Sequence, residues 1–105
     1  MENPGKQLEI LQEALVKKGP AGKTAAQSFF EACLAFSRAK ALRLPNMLMN
    51  EPQPDIKGAA NGVISQAKEI KKKYPEIQND FLNQAADEPD PVVIRALIEL
   101  MRRNL

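Results

Sequence analysis

The chain has 105 residues, with 15 Lys and Arg against 13 Asp and Glu, for a net charge of +2. That length suits one domain, read here as a single helical unit over residues 1–105. With no His and a single Cys, Cys–His and Ser–His–Asp catalysis are excluded, an intramolecular disulfide is ruled out, and a zinc site would need several carboxylates.

The first expected helix runs from about Gly5 to Lys18. Leu8, Leu11 and Leu15 recur at helical spacing, and Gly19-Pro20 ends the run. A second helix is expected from Thr24, with Thr24 and Gln27 as a capping box. Ala26, Phe29, Cys33 and Phe36 form its apolar stripe, widened by Phe30 and Leu34. Three of the four Phe lie here, which marks it as the central helix. Leu44 to Pro54 carries three prolines around Met47, Leu48 and Met49, and reads as an ordered loop with at most one helical turn.

A third helix opens at Asp55 as N-cap. Ile56, Ala60, Val63, Ala67, Ile70 and Tyr74 form a heptad-like seam. Gly58, Asn61 and Gly62 weaken it, but the flanks lack period-two alternation, so helix is preferred over a hairpin. Gly58 and Gly62 have the small-xxx-small form of a close helix contact. A short fourth helix is expected with Pro75 at its first position and Ile77, Phe81, Leu82 and Ala85 inward. A fifth is expected with Asp90 as cap, Pro91 next, and a broad apolar set from Val93 to Leu105. No segment reads as a strand. The expected fold is all-α, a compact bundle of four to five helices without a β-sheet.

Few residues suggest chemistry. Gly22-Lys23-Thr24 looks like the end of a phosphate-binding loop, but Lys17 stands where the motif needs its first Gly, and a helix precedes it instead of a strand. It reads as a helix connection, with an adventitious anion contact at Lys23 as the lesser reading. Asp87, Glu88 and Asp90 lack the spacing of a calcium loop. No Ser or Thr has a visible base partner. Cys33 sits on the Phe29/Phe36 stripe and reads as a buried apolar thiol, not a reactive one. No catalytic, metal or cofactor site is expected, no small-molecule substrate, and no enzyme activity.

Basic residues fall in three clusters, Arg38/Lys40/Arg43, Lys68/Lys71/Lys72/Lys73 and Arg102/Arg103. One reading is phosphate contact along nucleic acid. The other is complementation of helix dipoles, since all three clusters are expected in last helical turns. Residues 56–74 sum to +4 and residues 75–90 to −5, so any basic face competes with an acidic one. The fifth helix offers Val92, Val93 and Ile94 where a DNA-reading helix needs polar side chains.

Two features point to a protein partner. Apolar Met47, Leu48 and Met49 either cover the bundle or present an adaptable contact surface. The apolar arc of the fifth helix, through Val93 and Leu100, exceeds what one core contact needs. The leading expectation is therefore a non-enzymatic interaction protein (an adaptor, chaperone or regulatory factor), docking through Met47, Leu48, Met49, Val93 and Leu100. The partner is another protein or a second copy in a homodimer. Alternatives are a nucleic-acid-associated protein using Arg38, Arg43, Lys68, Lys71, Lys72 and Lys73, and a structural subunit of a larger assembly. The start lacks a signal peptide and no apolar run spans a bilayer, so a cytoplasmic protein without membrane contact is expected.

Overall fold

The computed structural model describes residues 3–104. Five helices account for most of them: α1 (Pro4–Val16), α2 (Pro20–Leu48), α3 (Ile56–Lys73), α4 (Asp80–Ala85) and α5 (Pro89–Arg103). No strand occurs among the described residues, and the fold is the all-α bundle expected. α1 packs on α2, α4 and α5, while α3 lies along α2. The short return between α2 and α3 makes those two antiparallel. Among the described residues, no helix is long and apolar enough to cross a membrane.

One apolar cluster forms the core. Leu8, Leu11 and Leu15 of α1 meet Phe29, Cys33 and Phe36 of α2, Val63, Ala67 and Ile70 of α3, and Phe81, Leu82, Val93 and Ala96 from α4 and α5. Phe29 and Phe81 meet edge to face with ring centroids 5.9 Å apart, an arrangement aromatic quadrupoles favour. The stripes expected on α1, α2 and α3 face the core, with Phe30, Leu34, Ile56, Ala60 and Tyr74 of the expected set only half-buried against it.

Several boundaries differ from expectation, each for a local reason. α2 starts at Pro20, not Thr24. Pro20 needs no amide partner at the first helical position, and Gly19 supplies the required left-handed φ of 96°. Thr24 caps nothing; its hydroxyl donates to the Pro20 carbonyl at 3.1 Å. Gly22 lies where α1 and α2 nearly touch: a Cβ there would stand 2.0 Å from the Leu15 carbonyl oxygen. This close contact explains a glycine whose neighbours resemble a phosphate loop.

α3 begins as expected, with the Asp55 carboxylate accepting from the Gly58 amide at 2.9 Å. The Gly58/Gly62 pair is not a close helix contact. Gly58 makes room for its own cap, and nothing lies within 4 Å of a Cβ at Gly62. α4 does not start at Pro75. Pro75 and Glu76 form a turn, and Asn79 caps α4 by accepting from the Leu82 amide at 3.0 Å. The same Asn79 donates to the Gln7 carbonyl of α1 at 3.0 Å, so a tertiary contact sets where this helix begins. α5 starts at Pro89 with Glu88 before it. Asp90 is not the cap, because its carboxylate pairs with Lys40 of α2 at 3.0 Å.

Candidate functional site

α2 is the element that outgrows the bundle. Its 29 residues span about 43 Å at 1.5 Å per residue, close to the 46 Å long axis of the molecule. Phe36 is its last buried residue, and from Ser37 to Leu48 no residue is buried.

Met47 and Leu48 are therefore not on a loop. They form the last turn of α2, with Met49 at its C-cap. The helix runs through Pro45, although a proline removes one ladder bond and costs about 3 kcal/mol in a helix interior. The return segment compensates. The Glu51 amide donates to the Asn46 carbonyl at 2.8 Å, and the Asn46 side chain donates to the Pro52 carbonyl at 3.0 Å. The Gln53 amide, oriented to match its neighbours, donates to the Arg43 carbonyl at 3.2 Å and accepts from the Met47 amide at 3.1 Å. It thus ties the last turns of α2 to the returning segment. Asn50 closes the helix with a φ of 60°, a conformation Asn tolerates better than most residues.

The apolar pattern continues on this end. Residues eleven apart on an α-helix differ by about 20° in direction. Leu44 therefore stands in line with Cys33, and Met47 with Phe36. Leu48 widens the same stripe. The core-facing stripe of α2 runs on past the end of the bundle, where no other helix covers it. Leu44, Met47, Leu48 and Met49 are 57%, 60%, 75% and 71% exposed. None of the four is buried. Leu42 is also exposed, on the opposite side of the helix.

At the base of this end lies an open cleft of about 730 Å³, lined by Phe36, Arg43, Ile56, Ala60 and residues 87–91. Its rim is charged on both sides. Arg43 of α2 and Lys57 of α3 line it together with Asp87, Glu88 and Asp90 around the start of α5. Arg43, Lys57, Asp87 and Glu88 make no ion pair among the described residues, while Asp90 pairs with Lys40.

The fifth-helix expectation needs correction. Val93 is fully buried against the core and is not open to a partner. Leu100 is half-buried and packs against the core cluster. The large exposed apolar residues of α5 are Ile98 and Met101; Ile98 is turned about 140° from Val93, and Met101 about 80°, on its flank.

The basic residues do not converge. Lys71, Lys72 and Lys73 occupy the last turn of α3, and Arg102 and Arg103 the last turn of α5. Arg38 and Arg43 are instead mid-helix, because α2 continues to Leu48. α3 is antiparallel to α2, so its C-terminal lysines stand about 20 Å from Arg38 and Arg43, at the opposite end of the bundle. Lys68, Lys71 and Lys72 are exposed and make no ion pair among the described residues, while Lys73 lies 4.0 Å from Glu69. Arg103 is held by Glu9 at 3.0 Å.

Cys33 is buried, and burial pushes its thiol up to about 12, which makes it a poor nucleophile at neutral pH. Among the described residues no three His, Cys, Asp or Glu side chains come together as a metal site would require. The Glu76 carboxyl is held below its ordinary value by a hydrogen bond from Lys18, at an exposed surface.

Leu44 falls outside the sequence expectation, which ends the second helix before Pro45. The signal was present in the eleven-residue spacing from Cys33 and Phe36. Comparison of the chain with protein-family models, curated protein sequences and solved structures finds no match.

Proposed function

We propose that the protein is a non-enzymatic interaction module that docks a protein partner through the overhanging end of α2, at Leu44, Met47, Leu48 and Met49. The carrying observation is the apolar stripe that continues beyond the core without cover. Exposed apolar residues scattered singly need no explanation, but a contiguous set on an ordered helix end marks a contact surface. Three further features favour this role. The end is held helical, despite Pro45, by a dedicated set of hydrogen bonds from the return segment. Two of its four apolar side chains are methionines, which adapt readily to a partner's surface. The one thiol is buried and weakly acidic.

The test is a tagged pull-down at physiological salt, with and without nuclease. Met47→Asp combined with Met49→Asp is expected to abolish partner capture while the helical circular dichroism stays unchanged. Lys71→Glu with Lys72→Glu is expected to leave capture intact. Capture that survives the methionine substitutions would overturn the docking role. Recovery of nucleic acid, with proteins lost after nuclease, would shift the function to the exposed lysines of α3.

A further inference from the structure

We propose that the end of α2 is a latched element: Pro45 leaves its last turn unable to hold itself, and Gln53 of the returning segment is the positioning residue that keeps it in the docking conformation. This rests on the docking role argued above and adds how that surface is held ready.

Three features of the last turn work against a helix. Pro45 has no amide, so the Ala41 carbonyl loses its ladder donor. A proline also disfavours helical backbone at the residue before it, here Leu44. No packing offsets this, since Asn46 is the only one of residues 41–49 that is not exposed. Helix ends without burial fray. Yet α2 stays helical to Leu48.

What holds it comes from outside the helix. The Gln53 amide reaches the Arg43 carbonyl and the Met47 amide, one on each side of Pro45, so a single side chain spans the weak point. Gln53 stands between Pro52 and Pro54. Both rings fix their own φ, and Pro54 restricts Gln53 as well, so little chain entropy is lost in placing its amide. Asn46 adds a second tie, from its side chain to the Pro52 carbonyl at 3.0 Å. Asn46 points about 160° around the helix from Leu44 and from Leu48. This tie therefore grips the tip from behind and leaves the apolar stripe open.

Met47 and Leu48 share the Leu44 stripe only while these residues are helical. An unlatched tip scatters them, and a partner then binds only the latched fraction.

The test is a double-variant cycle of Gln53→Ala and Pro45→Ala, read by amide hydrogen exchange and by the pull-down. The reporter is the Met49 amide, which donates to the Pro45 carbonyl at 3.0 Å and not to Gln53. With Pro45 present, Gln53→Ala is expected to speed its exchange about fivefold, as for one ordinary hydrogen bond, and to weaken partner capture by up to the same factor. With Pro45→Ala, position 45 donates within the helix again, and Gln53→Ala is expected to change both readouts by less than about twofold. Exchange in α1 stays unchanged in every variant. Equal effects of Gln53→Ala in the two backgrounds, or faster exchange with capture unweakened, would overturn the inference. Capture that survives Met47→Asp with Met49→Asp would sink the docking role, and with it the purpose of the latch, while the exchange cycle alone still reads the latch itself.

Discussion

Phe36 and Met47 lie on one stripe of α2, eleven residues apart, yet Phe36 is 1% exposed and Met47 is 60% exposed. The same helical face is core at one end and surface at the other. The difference is set by where α1, α3, α4 and α5 stop, not by anything in α2 itself.

Substitutions along that stripe should therefore separate stability from binding. Phe36→Ala is expected to cost about 3–5 kcal/mol, the usual range for emptying a large buried ring. Met47→Ser is expected to change stability by less than about 0.5 kcal/mol, as exposed sites do. Denaturant titration of both variants checks this. A Met47 substitution as costly as Phe36→Ala would mean that the tip packs within its own chain.

Gln53 should govern the order of the tip. Gln53→Ala removes the bridge between the Arg43 carbonyl and the Met47 amide, worth about 1 kcal/mol as a typical hydrogen bond. The expected outcome is faster amide hydrogen exchange at Met47–Met49, with exchange in α1 and the buried half of α2 unchanged. Uniform acceleration across the chain would assign Gln53 to global stability instead.

Two glycines should respond in opposite directions to alanine. At Gly22 the new methyl meets the Leu15 carbonyl backbone, and the overpacking is expected to cost at least about 1–3 kcal/mol. At Gly62 the space is open, so the gain in helix propensity should stabilise by up to about 1 kcal/mol. Thermal melts of the two variants, compared with the parent, read both signs.

Cys33 should be silent until the protein opens. Its thiol, raised to about 12 by burial, is expected to resist alkylation at pH 8 in the native state and to react at the rate of unfolding. The linkage has a definite sign. Above the ordinary thiol value of 9.0, the unfolded chain loses this proton and the folded chain keeps it, so the contribution of this group to stability falls as pH rises from there toward 12. Cys33→Ala should remove that part of the alkaline decline. Rapid native-state alkylation would show that the stripe is open at Cys33.

The α2 stripe also shows how far the sequence reached. Leu8/Leu11/Leu15, Phe29/Cys33/Phe36 and Val63/Ala67/Ile70 were legible as core, because helical spacing fixes which side chains share a face. The Asp55 cap was legible because capping is local, decided within three residues. The starts of α4 and α5 were not. Asn79 is anchored by Gln7, seventy-two residues away, and Asp90 is drawn to Lys40. The broad apolar arc of α5 does not say which part of it the bundle covers, so nothing in the spacing marks Val93 as core.

The sequence by itself determined the helical class, the apolar stripes and the exclusion of histidine-based catalysis, since these depend on residue type and on spacing within one element. Only the tertiary structure decided which stretch of a stripe is core and which is exposed. It also decided that α2 survives Pro45, because the bonds that make this tolerable come from the returning segment and from Gln53. Burial is a relation between elements, and one chain period carries no information about where its neighbours end.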